Sequence, residues 1–317
     1  MPDTENNVSI TKQTKVGIFM PCYNMGHFLG ESLESISKQT FKDYRVVIAD
    51  DASPSQESRD ALAQIKQAQC EVYFEKKNLG LVKISNKYLR SLNAQYILLL
   101  SPDDKLHPDF LKEHVAYLDS HPDVHAVCSW VQEFGDGNQL IRYSDDMCKL
   151  PYMLVYNHFS GAALIRRSEW IAAGMHDTNK DIYPNIDWGV WLAMLEKGYR
   201  LATIPKALFY WRVDRKSISH GVSAEQTLRF RKAIYKRHIS LYKVHFEYVL
   251  NYYLERLSDF EKYYVISEEG HEWLDGQYHS LTRENETLRK ALDKSIQRPY
   301  LRSFYRRMRK RLKRVKT

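Results

Sequence analysis

The stretch Tyr96-Ile-Leu-Leu-Leu-Ser-Pro-Asp-Asp104 decides how the chain is organised. Its apolar run is typical of a strand buried in a parallel sheet, and it leads directly into two adjacent carboxylates. In open α/β sheets, ligands bind beyond the carboxyl ends of the strands. Asp103 and Asp104 are suited to holding a divalent cation there, with substrate phosphates completing its coordination shell. They could equally form a turn that caps a helix at 108–120, and the stretch alone leaves both interpretations open.

Four predicted strands alternate with predicted helices in the first third of the chain. The strands are expected at 15–20, 44–49, 71–74 and 96–100. Strands that alternate with helices of about 10 to 15 residues indicate βαβ units and a parallel sheet. Right-handed crossovers place the ends of such strands along one edge. We therefore expect the polar residues that follow these strands to converge on one site: Tyr23, Asp50, Asp51, Asn78, Asp103 and Asp104.

The second half of the chain is less regular. Strands are predicted at 124–134, 159–166, 199–204 and 207–211. Asp187 lies in the first turn of a helix predicted at 187–195. From about residue 223 the pattern changes to long helices with little Gly or Pro, including one predicted at 227–260. The expected divisions are a polar leader at 1–14, an α/β domain at 15–222, a helical extension at 223–297 and a basic segment at 298–317.

The helical extension contains an apolar seam with alternating spacings of four and three residues. Asn285 on this seam is the type of polar residue that sets the register of a coiled coil. The seam predicts either self-association into a homodimer or a helix packed on its own domain, and both interpretations stay open. Its members are Leu274, Tyr278, Leu281, Asn285, Leu288 and Leu292.

Composition indicates a folded protein, since 44% of the 317 residues are hydrophobic and 22 are tyrosines. No apolar run approaches the roughly 18 residues that span a membrane, and the polar N-terminus shows no secretory signal. The four cysteines lack CxxC spacing, which favours reduced thiols in a cytoplasmic protein over a structural zinc site. They are Cys22, Cys70, Cys128 and Cys148.

The net charge of +8 comes from the end of the chain. Residues 298–317 hold ten of the 47 basic residues and no acidic ones, which leaves 37 basic and 39 acidic residues elsewhere. Drawn as a helix, this segment separates an apolar stripe from its basic residues and predicts a peripheral helix on the anionic inner face of the cell membrane. A solvated tail and a nucleic-acid-binding segment are the competing interpretations, although the near-neutral body offers no basic groove for nucleic acid. The membrane-facing candidates are Leu301, Phe304, Tyr305, Arg306, Arg307, Met308, Lys310 and Arg311.

Residues 15 to about 219 resemble an inverting family-2 glycosyltransferase with the GT-A fold. The resemblance rests on six short motifs in series: Pro21-Cys-Tyr-Asn24, Ala49-Asp-Asp51 with Ser53, Asn78-Leu-Gly80, Ser101-Pro-Asp-Asp104, Ile186-Asp-Trp188 and Trp211-Arg212. Each motif alone is weak, whereas the series at these spacings is specific. The resemblance implies an α/β fold, with a Rossmann-like, mostly parallel sheet and flanking helices, followed by an all-α extension.

The resemblance also implies roles for the residues at the sheet edge. Tyr23 would stack on the base of a nucleotide-sugar donor, Asp51 would accept a hydrogen bond from that base, and Asp103 would contact the ribose or sugar. Asp104 would bind Mn²⁺ or Mg²⁺, which neutralises the leaving diphosphate as a Lewis acid. The remaining nucleotide-binding positions are Pro21, Asn24, Asp50, Asn78 and Gly80.

Asp187 matches the family's catalytic base. It would take a proton from an acceptor hydroxyl as that oxygen attacks the sugar C1 opposite the diphosphate, and a single displacement inverts the configuration. Its alternative role is that of a charge favoured by the helix dipole at an N-terminus. Ser160 and Gly161 would line the acceptor side.

The sequence departs from the family pattern at four positions: Ser101, Ser85, Ile186 and Asp214. Ser101 replaces the first acid of the metal motif, and Ser85 stands where an Arg is common on the helix after Gly80. Ile186 replaces a Glu before the base, and Asp214 a His after the last motif. The positive charge near the diphosphate would then come from Lys83, Arg212, Arg215 or Lys216.

The predicted acceptor is a polyprenyl-diphosphate-linked glycan of a bacterial capsule or O-antigen, since a transferase on the inner leaflet is expected to use a lipid-linked substrate. Two alternatives remain at this stage. One is another nucleotide-sugar-using enzyme, such as a nucleotidyltransferase or hydrolase, although Pro21-Cys-Tyr-Asn24 is not the Gly/Lys-rich phosphate loop that such enzymes need. The other is a catalytically silent scaffold at the membrane.

Overall fold

The computed structural model describes residues 10–183, 185–214 and 223–266. The chain divides into two compact units, Met1–Val249 and Leu250–Thr317. The first unit contains the sheet and the site, and the described part of the second is the end of one helix. The predicted features outside the described residues are residues 1–9 of the polar leader, Arg215 and Lys216, the seam at 274–292 and the basic segment at 298–317.

Strands and helices alternate through the first unit, as the sequence predicts. Within the described residues the strands are β1 (Ile10–Cys22), β2 (Tyr44–Asp50), β3 (Cys70–Phe74), β4 (Leu92–Leu99), β5 (Lys105–Leu106), β6 (Val124–Gly135), β7 (Leu140–Ile141), β8 (Leu164–Arg166) and β9 (Arg200–Val213). The helices are α1 (Leu29–Ser37), α2 (Gln56–Ala63), α3 (Leu81–Ser91), α4 (Phe110–Ser120), α5 (Arg167–Ala172), α6 (Ile186–Glu196), α7 (Ala224–Arg237), α8 (Ile239–Val244) and α9 (Phe246–Ile266).

The first four strands form the predicted parallel sheet, in the order β3-β2-β1-β4. Neighbouring residues of β1 such as Ile18 and Phe19 are both fully buried, so both faces of the sheet are covered. Such two-sided burial explains why these strands are continuous apolar runs. The ends of β1, β2 and β4 therefore lie side by side. Asp50 is the last residue of β2, and the stretch 101–104 comes just after the end of β4.

The second part of the sheet has mixed pairing. Strand β8 lies between β4 and β6 and is antiparallel to both, while β6 and β9 are parallel. The predicted strand at 159–166 is confined to Leu164–Arg166, because the small residues before it form a loop. The two strands predicted at 199–204 and 207–211 are one strand with a shifted register between Ile204 and Ala207. Pro205 lies in that irregularity, where a residue without an N–H is tolerated.

Strand β5 was not predicted from sequence. It has only two residues, and it pairs with Phe209 and Tyr210 of β9. This pairing brings the end of β9 against the Asp103–Asp104 turn.

The helical region after residue 223 is also divided more finely than predicted. The single helix expected at 227–260 is three helices, α7 to α9, separated at His238 and His245. A capping box between Ser223 and Gln226 begins α7. Among the described residues, no helix combines the length and the apolar character needed to cross a membrane.

Candidate active site

The turn after β2 is organised by Asp50. The Asp50 side chain is 1% exposed, and its Oδ2 accepts a hydrogen bond from the Ser53 backbone N–H at 3.1 Å. The Ser53 hydroxyl donates to Asp50 Oδ1 and accepts from the Asn24 N–H at 2.8 Å. Asp50, one of the predicted nucleotide-binding positions, therefore ties the ends of β1 and β2 together.

Asp51 holds the Asn78-Leu-Gly80 loop. The two oxygens of its buried carboxylate accept hydrogen bonds from the backbone N–H groups of Leu79, at 2.7 Å, and Gly80, at 2.8 Å. Gly80 has a φ of 81°, a conformation that side chains with a Cβ rarely adopt, and it precedes α3. The Ala49-Asp-Asp51 and Asn78-Leu-Gly80 motifs are thus in direct contact.

Exposed side chains surround this pair of buried aspartates. Tyr23 is 46% exposed just beyond the end of β1, where a flat ligand could stack on it. Asn78 is also exposed, and Pro21 is half-buried opposite Ala49 of β2. The sheet edge therefore presents an aromatic face beside fixed polar backbone.

The turn after β4 places two carboxylates side by side. Asp104 is 6% exposed and accepts a hydrogen bond at Oδ1 from the Arg212 backbone N–H at 2.9 Å. Asp103 accepts one from the Ser101 hydroxyl at 2.5 Å. Burial raises the pKa of Asp104 well above its ordinary value, and the neighbouring Asp103 carboxylate raises it further. Ser101, which departs from the family's acid, orients Asp103.

Arg212 braces this turn from the opposite strand. Its Nε donates to the Asp103 carbonyl at 3.0 Å, and its Nη2 donates to Glu31 Oε2 at 2.7 Å. The guanidinium lies 5.0 Å from the ring centre of Phe28 and 4.4 Å from that of Phe134. Arg212 is one of the four candidates for positive charge near the diphosphate, and its guanidinium hydrogen-bonds to the Asp103 carbonyl and to Glu31.

The other candidates for positive charge near the diphosphate are Lys83, Arg215 and Lys216. Lys83 is exposed in the first turn of α3. Ser85, which replaces the common Arg, is fully buried and faces the core. Asp214 is the last residue described before a gap that contains Arg215 and Lys216.

Asp187 lies in the first turn of α6, as predicted. Its Oδ2 accepts a hydrogen bond from Asn157 Nδ2 at 2.9 Å. Burial raises the pKa of Asp187, while the Trp188 backbone N–H and the Asn157 amide oppose this effect by stabilising the charged form. Ile186, which replaces the family's Glu, is 5% exposed and anchors the start of the helix in the core.

The predicted acceptor-side residues lie next to this carboxylate. A Cβ on Gly161 would be 3.4 Å from Asp187 Oδ2, so the backbone approaches the carboxylate closely. Ser160 is buried, and its hydroxyl accepts from the Ala162 N–H at 3.2 Å. This segment enters β8, which runs antiparallel to β4 with Ile165 opposite Ile97.

A sequence model of the family described as "Glycosyl transferase family 2" matches residues 17–179 of the chain. This protein belongs to glycosyltransferase family 2.

Curated relatives agree with the family. TuaG of Bacillus subtilis, whose name assigns it to teichuronic acid biosynthesis, is 24% identical over 210 residues, covering 64% of this chain and 81% of TuaG. The glycosyltransferase EpsE of the same organism is 26% identical over 222 residues, covering 66% of this chain and 78% of EpsE. The scaffold and nucleotidyltransferase alternatives receive no support from these relatives.

Solved structures confirm the GT-A fold of this family-2 glycosyltransferase. A crystal structure of S. aureus TarS 1–349 in complex with UDP-GlcNAc has a TM-score of 0.59 at 18% identity, covering 70% of this chain and 66% of that one. The mannosyltransferase PcManGT from Pyrobaculum calidifontis, in complex with GDP-Man and Mn²⁺, has a TM-score of 0.56 at 15% identity and covers 87% of each chain.

The carboxylates of Asp103 and Asp104 fit a divalent cation that takes most of its ligands from water and from the substrate. In the part of the chain that the structure describes, no group of three or more His, Cys, Asp or Glu side chains could hold a metal ion. Mg²⁺ is commonly bound by one or two carboxylates, with water and substrate phosphates completing the shell. Burial raises the pKa of Asp104 because it disfavours the charged form. A bound cation would stabilise that charged form.

Sequence reasoning missed two residues of this glycosyltransferase site. Asn157 lies in an irregular loop with no periodic pattern, and Glu31 lies in the first turn of an amphipathic helix, where an acid is ordinary. No local signal identifies either residue, because each is defined by a contact with a distant part of the chain.

Proposed function

We propose that this glycosyltransferase moves a sugar from a nucleoside-diphosphate sugar to a glycan hydroxyl with inversion, using Asp187 as general base. This proposal rests on the Asp187 carboxylate, which lies against the Gly161 backbone and receives its hydrogen bonds from the Asn157 amide and from backbone N–H groups. These donors favour the ionised form, and burial makes that form a stronger base.

One displacement accounts for the proposed chemistry. The acceptor oxygen bonds to C1 of the sugar as the bond from C1 to the diphosphate oxygen breaks. Asp187 accepts the hydroxyl proton, and the nucleoside diphosphate leaves with the bonding electron pair. Asp104, with Asp103 beside it, would hold Mn²⁺ or Mg²⁺, whose charge stabilises the leaving diphosphate when the ion is bound.

The proposed donor is a UDP-sugar at the edge formed by β1 and β2. Tyr23 would stack on the base, and Asp51 would both hold the Asn78–Gly80 loop and contact the base. A UDP-sugar is the ligand named for TarS, whereas PcManGT is named with GDP-Man, so both nucleotides must be tested.

The proposed acceptor is a lipid-linked glycan of a bacterial surface polysaccharide. The name of TuaG supports a surface-polymer role. The basic segment at 298–317 would bring the enzyme to the inner face of the membrane, and the seam at 274–292 would form a homodimer. Removing residues 297–317 should then release the protein from anionic liposomes at physiological salt, and unchanged co-sedimentation would refute the membrane proposal.

A calorimetric panel tests the donor proposal. UDP- and GDP-sugars are titrated into the full chain with and without Mn²⁺, and each binding donor is then incubated with simple glycan acceptors. We expect one donor to bind selectively and more tightly with Mn²⁺. Absence of binding by every nucleotide sugar would overturn the proposal.

A further inference from the structure

The loop before β8 contacts α6 through two consecutive residues of that helix. The Trp188 indole Nε1 donates to the Met153 carbonyl at 2.7 Å, and Asn157 Nδ2 donates to Asp187 Oδ2 at 2.9 Å. The first contact fixes the start of the helix against the loop. The second then acts directly on the carboxylate, so both the backbone and the side chain of this turn are held by one segment.

The orientation of the Asn157 amide is set by a neighbouring backbone group. The Phe159 N–H donates to Asn157 Oδ1 at 3.3 Å. A backbone N–H can only donate, so the amide oxygen must face Phe159 and the amide NH₂ must face Asp187. The group that Asn157 presents to the carboxylate is therefore a donor at every pH.

The loop that carries Asn157 is itself anchored. The buried Cys148 thiol donates to the His158 carbonyl at 3.3 Å, and the His158 N–H contacts the Met153 sulfur at 3.3 Å. Met153 is fully buried. Both contacts join His158, which follows Asn157, to residues that precede Asn157, and so they anchor the loop next to the amide.

We propose that Asn157 is the positioning residue of Asp187, whose fixed amide donor holds the carboxylate in the orientation and the ionised state that a general base needs. The inference rests on the proposed role of Asp187. It assigns Asn157 no contact with the substrate.

The electrostatic surroundings of Asp187 make this donor important. Burial raises the pKa of Asp187, and the Trp188 N–H and the Asn157 amide oppose the rise. Tyr143, in the segment after β7, interacts electrostatically with Asp187, and burial, together with Cys128, Asp187, Tyr156 and Cys148, raises the pKa of its phenol. Tyr143 is thus neutral in the range where Asp187 titrates, and the amide is the side-chain donor that offsets burial.

Carbon-13 NMR of the full chain labelled at the Asp carboxyl carbons tests the inference without any ligand. The Asp187 signal is assigned by its loss in Asp187→Asn, and its titration is compared with that in Asn157→Ala and Asn157→Asp. We expect Asn157→Ala to raise the apparent pKa of Asp187 by about one unit. Asn157→Asp keeps the acceptor for Phe159 but replaces the donor by a carboxyl, so it should raise the apparent pKa further and split the titration into two steps.

Asn138→Ala is the matched control, because Asn138 is exposed in the turn between β6 and β7. It should leave the Asp187 titration unchanged. A wild-type titration in both Asn157 variants, with circular dichroism showing a folded chain, would overturn the inference. If Asn157→Ala does not fold, the isosteric Asn157→Asp decides the question alone.

The NMR titration distinguishes failure of this inference from failure of the proposed function. If Asp187→Asn retains sugar transfer, the base assignment fails, while the pKa comparison still reports on the Asn157 contact. If Asp187→Asn is inactive but the Asn157 variants show the wild-type pKa, the positioning role alone fails.

Discussion

The two halves of the sheet build their parts of the site in different ways. In the donor half (residues 10–106), Asp50 is the last residue of β2 and Asp51 follows it, so the order of the parallel strands places both at one edge of the sheet. In the base half (residues 124–214), Asp187 is oriented by Asn157, 30 residues away, and Arg212 reaches back 108 residues to Asp104. The donor half is therefore placed by regular parallel strands and the base half by contacts between loops and neighbouring elements, which predicts that donor binding and proton abstraction can be disrupted separately.

Asp187→Asn should have the largest effect and should affect catalysis alone. Loss of a general base reduces kcat by about 10²–10⁴-fold, while donor binding measured by calorimetry stays at the wild-type value because the donor half is untouched. The exposed Asp146→Asn serves as the control. Weakened donor binding in Asp187→Asn would show that the halves are not separable.

The same variant should not lower Tm at neutral pH. Burial raises the pKa of folded Asp187 above its unfolded value, so the associated stability is full below the unfolded pKa and is lost as pH rises through the folded pKa. Asparagine removes the charge that is costly at pH 7. A clear fall in the Tm of Asp187→Asn, measured by scanning calorimetry at neutral pH, would contradict the prediction that the ionised carboxylate is costly to stability.

Asp104→Asn should remove the metal dependence of the donor half. The Asn oxygen can still accept from the Arg212 N–H, so the turn is kept while the charge is lost. We expect Mn²⁺-dependent nucleotide binding to weaken by on the order of 100-fold, because even outer-shell partners of a metal are typically worth about 10–100-fold. Unchanged tightening by Mn²⁺ would remove Asp104 as a ligand.

Arg212→Lys tests the link between the halves with a smaller effect. Lysine cannot span the Asp103 carbonyl and Glu31 as the planar guanidinium does. Nucleotide binding with Mn²⁺ should weaken by about 10-fold, the lower limit for an outer-shell partner. The exposed Arg200→Lys is the control, and equal binding by both variants would show that Arg212 does not support the turn.

Asp51→Asn should reduce the stability of the donor half without a change in the catalytic base. Its amide can accept from only one of the two N–H groups of Leu79 and Gly80. A hydrogen bond to a charged group is worth about 1.5–3 kcal/mol, and a domain of this size loses about 2–4 °C in Tm per kcal/mol. Exposed Asp60→Asn is the comparison, and an equal Tm in the two variants would contradict the role of Asp51 in the loop.

What could be predicted from sequence follows the same division. Alternating strands and helices specify the parallel order, and the carboxyl ends of those strands specify where Asp50, Asp51 and Asp104 lie. Asp187 was predicted at the start of its helix because a short motif marks it. The fold of the donor half was therefore readable from local patterns.

The base half was predicted less well because its features depend on tertiary contacts. The two-residue β5 exists only through pairing with β9, and the small residues before β8 gave no sign that they form a loop against Asp187. Arg212 was one of four candidates for the positive charge near the diphosphate, and no sequence pattern indicated its hydrogen bonds to Asp103 and Glu31. A residue's type and spacing do not reveal a partner more than 100 positions away.

The pH dependence of kcat/KM for sugar transfer tests the central claim that Asp187 is a base held by a fixed donor. This ratio reports the ionisations of the free enzyme. Because burial raises the pKa of Asp187, we predict that activity is lost as pH falls through an ionisation above the ordinary aspartate value of about 4, and that this limb moves to higher pH in Asn157→Ala. A rate that does not change across the pH range in which NMR shows Asp187 to titrate would contradict the account.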